Sequence, residues 1–345
     1  MGPPNFVREV TGAFHPPTLA RGPVPSGHVR IGVLDLGGNS FRVVVADVDA
    51  DQGMTRQFTR GEHLHLAASI ARHGRIPADR ADAAMRLAEE LMVLVDAWEC
   101  ERIRIVATSA FREAANGPVV LDHMARELGV PAILLSEQDE AAQALAGALW
   151  GFGAIEPLTV ADLGGGSLNL ATGRPDSPPD WLGSLPLGVS RMGALLSPEE
   201  RLRSHHRVHL DAHVAASITP LRPLVERFQE RPLVLVGGTA RAIGHLVSTW
   251  RNGGKPATVH GVNITMGDLT RIVDRLGRLD VEGRLRVPGV KPRRARLLPV
   301  GATIIRQTMR ALSISRAVVG ETGLREGVLL DTAARAAKVA SASVA

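Results

Sequence analysis

Residues 29–48 read VRIGVLDLGGNSFRVVVADV, and residues 158–173 read LTVADLGGGSLNLATG. In each stretch two apolar, β-branched runs flank a glycine turn, which predicts a buried strand, a tight loop and a second strand. The cores are nearly the same string: DLGGNS at 35–40 and DLGGGS at 162–167. One motif met twice, about 130 residues apart, predicts two domains of one plan that face each other.

Outward from the first motif, 78–98 has the spacing of a helix and 103–108 that of a short strand. A helix carrying Arg112 and Glu113 should stop near Asn116 and Gly117, and a helix at 119–128 and a strand at 132–135 follow. After the second motif come helical segments at 198–203 and 210–229. A third strand-and-glycine unit, LVLVGGTA, lies at 233–240, and a glycine turn at 320–323 leads into a last helix at 324–337. Alternating strands and helices put both domains in the α/β class.

A chain of 345 residues suggests about two domains. Its 45% hydrophobic and 22% charged residues fit an ordinary globular protein. The net charge is +5, and most of the basic residues are arginine. Arginine forks match phosphate geometry, so an anionic ligand is expected. Nucleic acid is the runner-up for a basic chain, but zinc-ligand spacing and an aromatic platform are both missing. The lone Cys100 excludes a disulfide framework and a cysteine metal cluster. Residues 1–27 carry six prolines and no apolar core of a signal peptide, so a flexible extension is expected there. No run of about 18 apolar residues occurs, so no membrane span is expected. A cytoplasmic location is the expectation.

The loops carry the chemistry. Gly37 and Gly38, like Gly164, Gly165 and Gly166, let backbone N–H groups approach a phosphate closely. Asn39 belongs to the same cradle, and Ser40 and Ser167 add hydroxyls. Asp35 and Asp162, each ending a buried strand, could hold a hydrated Mg²⁺ or orient a water. A single Asp-x-Gly-Gly is more often a plain turn. Two copies between β-branched strands reverse that preference. Gly237, Gly238 and Thr239 form a third strand-to-helix junction, and a glycine before a helix N-terminus is an anion site.

Together these strings resemble the phosphate-binding loops of the actin, hexokinase and heat-shock ATPase superfamily. Further segments resemble the exopolyphosphatase/guanosine pentaphosphatase (Ppx/GppA) family within it: VATSAFREA at 106–114, SEQDEA at 136–141, SLPLG at 184–188, LPVGA at 298–302 and GLREGVL at 323–329. They follow the family's order over residues 31–331. The resemblance implies two actin-like (ribonuclease H-like) domains with a ligand cleft between them. The first would span 28–138 and be completed by a C-terminal helix at 320–338; the second would span 139–319.

The resemblance also assigns roles. Glu140 would place or activate the attacking water, with Glu137 and Asp139 as nearby competitors, and Arg112 would contact phosphate. The cofactor would be Mg²⁺. The substrate would be inorganic polyphosphate or guanosine pentaphosphate, and a homodimer is implied. Three departures stand out. Gly38 replaces a serine, Asn169 replaces a glutamate that is a candidate metal or water ligand, and Gly320-Glu321 stand where serine and aspartate are common. They sustain a second reading, a non-catalytic sensor of polyphosphate or guanosine tetraphosphate. A small-molecule kinase is a third, against which the GLREG string argues. His205, His206 and His209 read as solvated helix surface, and His63 and His65 as edge positions on a strand. The basic run at 291–296 reads as a solvated face or an extended track for a polyanion.

Overall fold

The computed structural model describes residues 23–49, 53–196, 202–224, 228 and 231–342. Most of the expected N-terminal extension, most of the 198–203 helix and the end of the 210–229 helix lie outside these residues. Among the described residues no helix is long and apolar enough to cross a membrane.

The first sheet contains β1 (His28–Leu36), β2 (Ser40–Asp49), β3 (Met54–His63), β4 (Arg102–Ala107) and β5 (Ala132–Leu134). Their order is β3-β2-β1-β4-β5. The first three strands form an antiparallel meander, and β4 and β5 run parallel to β1. Four helices accompany it: α1 (Leu66–His73), α2 (Ala78–Asp96), α3 (Ser109–Glu113) and α4 (Gly117–Leu128).

Crossing to the second sheet is α5 (Glu137–Phe152). That sheet contains β6 (Leu158–Leu163), β7 (Leu168–Gly173), β8 (Trp181–Leu185), β9 (Leu233–Val236), β10 (Asn263–Thr265) and β11 (Arg316–Val319). Its order, β10-β11-β9-β6-β7-β8, repeats the first plan: a meander β6-β7-β8, then β9 and β11 parallel to β6. Its helices are α6 (Val189–Leu196), α7 (Ser204–Ile218), α8 (Gly237–Asn252), α9 (Met266–Gly277), α10 (Val281–Leu285) and α11 (Leu298–Ala311). The duplicated motif therefore sits at the same place in both sheets, the turn between the first two strands.

The last helix, α12 (Leu324–Ala342), returns to the first sheet. Its Val328, Leu329 and Leu330 pack with Ile31, Val33 and Val44. By contrast, Ala141, Ala144, Leu145 and Ala148 of α5 pack on Val160, Ala171, Val234 and Val236 of the second sheet. The two crossover helices touch backbone to backbone: a Cβ on Gly147 would lie 2.0 Å from the Gly323 carbonyl oxygen.

Several elements differ from the sequence expectation. His63 closes β3, but His65 leaves the strand with φ 57° and starts α1, a helix the apolar spacing did not announce. The 3₁₀ turn Pro292–Arg294 inside the basic run is not a uniform solvated face, because Arg294 turns into the cleft.

Candidate functional site

The two glycine loops meet at the base of the cleft. A Cβ on Gly165 would lie 2.9 Å from the Asn39 backbone nitrogen, so only glycine allows this approach. The cavity they enclose has a volume of about 110 Å³. Asp35, Gly37, Gly38, Asn39 and Ser40 line one wall; Asp162, Gly164, Gly165 and Ser167 line the other. Gly237 and Gly238 close the end, with Gly237 at φ +86° and no room for a Cβ, which would lie 2.5 Å from Asp162 Oδ1.

Two of the expected loop residues lie outside the lining. Thr239 is buried and packs toward Gly301, where a Cβ would touch its methyl group, so it does not line the cavity. Gly166 also lies behind the lining; its carbonyl accepts from the Gly188 N–H and a Cβ there would meet Ser109 Oγ at 2.4 Å.

Glu140 lies in the first turn of α5, and Ser136 caps that helix by accepting from the Asp139 N–H. The cap holds Asp139 and Glu137 on the exposed side, while Glu140 is 6% exposed and lines the cavity. Burial pushes its carboxyl up to about 7, against the pull of Arg112. The Asp162 carboxylate raises it further, and a hydrogen bond from Asn169 lowers it.

Arg112, the expected phosphate contact, is turned to the candidate base. It forms an ion pair with Glu140 at 2.8 Å, donates to the Leu135 carbonyl at 2.7 Å, and stays outside the cavity lining. The arginine holds the candidate base.

Four other arginines line the cavity: Arg42, Arg241, Arg294 and Arg325. Arg42 stands across the β1–β2 ladder from Asp35, and Arg325 pairs with Asp35 at 3.3 Å. Burial, then repulsion from neighbouring arginines, pushes Arg42, Arg241 and Arg294 down to about 10. They remain charged at neutral pH, crowded and short of anions, which is the electrostatic signature of a phosphate site. Three of the four were not singled out as ligands from the sequence. A charged residue inside an apolar strand, Arg42 in FRVVVA, was the available signal. Arg325 lay in the quoted GLREG string: the Gly323 N–H donates to Glu326 at 2.9 Å, Glu326 pairs with Arg56 at 2.7 Å, and this sets Arg325 at the cavity. Glu321, one of the departures, lines the cavity and accepts from Thr258 and the Val259 N–H.

Asn169 sits across β6–β7 from Asp162, buried and behind the lining. Its register position is the one Arg42 holds opposite Asp35 in the other sheet. Its amide donates to Glu140, and its Oδ1 has no partner.

The acids fit a Mg²⁺ shared with phosphate. Asp35 Oδ1 is buried without a hydrogen-bond partner, and burial raises both Asp35 and Asp162, the latter to about 6. The free Asp35 Oδ1 and the buried Asp162 carboxyl are hard oxygen donors that suit a cation taking its other ligands from phosphate and water. Among the described residues no three His, Cys, Asp or Glu form a cage of their own.

Paired glycine loops at equivalent turns of two matching sheets, with a cationic cavity between them, define a two-domain actin-like phosphate-binding protein. The chain belongs to the Ppx/GppA phosphatase family, whose profile matches residues 43–336. It is similar to Exopolyphosphatase 1 of Mycobacterium tuberculosis, 29% identical over 308 residues and 88% of each chain. Exopolyphosphatase 1 of Mycobacterium leprae is 28% identical over 311 residues, covering 88% of this chain and 89% of that one. In fold it is similar to the Aquifex aeolicus Ppx/GppA family member (TM-score 0.72, 24% identity, 88% of this chain and 97% of that one). An exopolyphosphatase from Cytophaga hutchinsonii is also similar in fold (TM-score 0.78, 22% identity, 88% of this chain and 98% of that one).

Proposed function

We propose that this chain is a Mg²⁺-dependent exopolyphosphatase that releases the terminal phosphate of inorganic polyphosphate. The observation that carries the reading is the cavity itself: a buried carboxylate poised near neutrality, facing two glycine loops and four arginines.

The terminal phosphoryl group would sit between the loops, held by the backbone N–H groups of Gly37, Gly38, Gly164 and Gly165 and the hydroxyls of Ser40 and Ser167. Glu140 would orient a water and accept its proton as the water oxygen attacks phosphorus. The bridging P–O bond breaks, and the products are orthophosphate and a chain one unit shorter. Arg42, Arg241, Arg294 and Arg325 would stabilise the charge on the transferring group. A Mg²⁺ held by Asp35 and Asp162 would neutralise phosphate oxygens.

A second cavity supports polyphosphate over a guanosine nucleotide. It measures about 1050 Å³ and is lined by Arg72, Arg75, Arg80, Arg293 and Arg296. Asp79 is the single acid among the lining residues, so five arginines face a run of phosphates with little competing charge. Arg293 and Arg294 bring the two cavities together at the 3₁₀ turn. Phosphate release from long-chain polyphosphate and from guanosine pentaphosphate, each with and without Mg²⁺, tests the reading. Preference for the nucleotide, or release indifferent to Mg²⁺, would overturn it.

Asn169 favours a second reading, a polyphosphate or guanosine tetraphosphate sensor that kept the cleft and lost turnover. In that case the same assay shows tight binding without phosphate release. A homodimer and a cytoplasmic location accompany either reading.

A further inference from the structure

We propose that His65 is a positioning residue which, together with Ser190 of the second domain, aims the Asn39 amide at the bound phosphate. The inference rests on the phosphohydrolase reading above.

Each glycine loop is gripped by the segment that starts a neighbouring helix. In the first domain the N–H groups of Leu64 and His65 both donate to the Asn39 carbonyl, at 3.0 and 3.1 Å, and Ala67 N–H donates to the Gly38 carbonyl at 2.7 Å. In the second domain Val189 N–H donates to Gly164, and Ser190 and Arg191 N–H both donate to Gly165. The helices that follow, α1 and α6, pack against each other. The grips are counterparts, and one hydroxyl crosses between them: Ser190 Oγ donates to Asn39 Oδ1 at 3.1 Å.

His65 supplies the second donor. Its Nδ1 lies 2.8 Å from the same Asn39 Oδ1. With two donors on the amide oxygen, the ring carries its proton on Nδ1 and the Asn39 –NH₂ is left to the cavity that Asn39 lines. Two N–H donors facing a cationic, anion-seeking pocket are what a phosphate oxygen requires. A reversed amide would present a carbonyl oxygen to the anion instead. His65 adopts φ 57° to let two consecutive backbone amides and its ring converge on one residue. Burial, then Arg294, Arg296 and Arg80, hold the imidazole below its usual range, so it donates as a neutral group.

The Asn39 amide is thus fixed from both domains. Opening the cleft would break the Ser190 bond and release the amide, so grip on phosphate and closure become one event. His65 and Ser190 act through the same oxygen, and their effects should not add.

The test uses His65→Ala, Ser190→Ala, the double variant and His65→Asn. Asparagine keeps an N–H donor near the Nδ1 position and tolerates a left-handed backbone. Two readouts are taken: kcat/KM for polyphosphate and calorimetric affinity for methylenediphosphonate, a non-hydrolysable probe. We expect each alanine variant to lose about tenfold in both, the size of one hydrogen bond to a charged group. The double variant should lose little more than either, and His65→Asn should recover most of the loss. Losses that multiply in the double variant, or no recovery with asparagine, overturn the proposal. Because the probe reports binding alone, the two readings separate. A wild type that turns over no polyphosphate, yet shows the same non-additive affinity losses, sinks the hydrolase reading and leaves the latch standing. Unchanged affinity in the alanine variants sinks the latch.

Discussion

The Arg112 guanidinium lies 2.8 Å from the Glu140 carboxylate and is not among the residues lining the phosphate cavity. This places the arginine in control of the proton affinity of the candidate base. A base with its pKa near 7 is half-ionised at neutral pH, so kcat/KM for polyphosphate should rise with pH through about 7 and level off above it. Arg112→Ala removes the charge that favours the ionised form, and the limb should move to higher pH. Glu140→Gln should abolish the limb and cost about a hundredfold to ten-thousandfold in rate. A pH profile of Arg112→Ala that overlays the wild type would detach the arginine from the mechanism.

Asn169 is the next lever on the same carboxylate. It donates to Glu140 and sits opposite Asp162. Asn169→Glu would place a third acid beside those two and remove the donor, so the limb should again shift to higher pH. Asn169→Leu loses only the donor and should shift it less. If Asn169→Glu instead speeds phosphate release at pH 7 when Mg²⁺ is present, the family's glutamate is a metal ligand and the amide marks a weakened enzyme.

Within the basic run, neighbouring arginines should behave differently. Arg294 lines the phosphate cavity, whereas Arg293 and Arg296 line the larger one. Arg294→Ala should therefore impair short and long chains alike. The Arg293→Ala/Arg296→Ala pair should weaken long chains alone, and added salt should erase much of that difference. KM measured for triphosphate and for long-chain polyphosphate at two ionic strengths decides the matter; equal losses on both substrates would remove the larger cavity from the chain's path.

Asp162 ties the site to stability. Burial first, and then Asp35, raise its carboxyl to about 6 from an ordinary 3.8, against Arg325 and Arg241. Between about pH 4 and pH 6 the folded chain keeps a proton that the unfolded chain has lost. Stability from this group is complete below that window, falls as pH rises through it, and is constant above. Asp162→Asn should thus be more stable than the wild type at pH 7.5, by about 1–3 kcal/mol, with the gap closing at pH 4. A gap independent of pH would assign the change to packing. Removal of the charge should also abolish activity, a common exchange at functional sites.

The sequence by itself carried the duplicated strand–loop–strand plan, because an apolar, β-branched run and a glycine turn are local properties of the chain. It carried Asp35, Asp162 and the loops, since each belongs to a glycine string, whereas Glu140 at a helix start was singled out only through the family resemblance. The direction of a side chain past those strings was not legible. Arg112 lies in a matching string yet faces Glu140, because α3 turns it toward the Leu135 carbonyl at the domain junction. Arg42 and Arg294 come from a strand and a 3₁₀ turn some 250 residues apart, and only the closure of two sheets on one cleft makes them neighbours. His65 read as a strand edge, and a single residue at φ 57° turned it under Asn39. Backbone propensity is decided within a few residues; burial, repulsion between arginines and the proton affinity of Glu140 arise only when distant segments exclude water together.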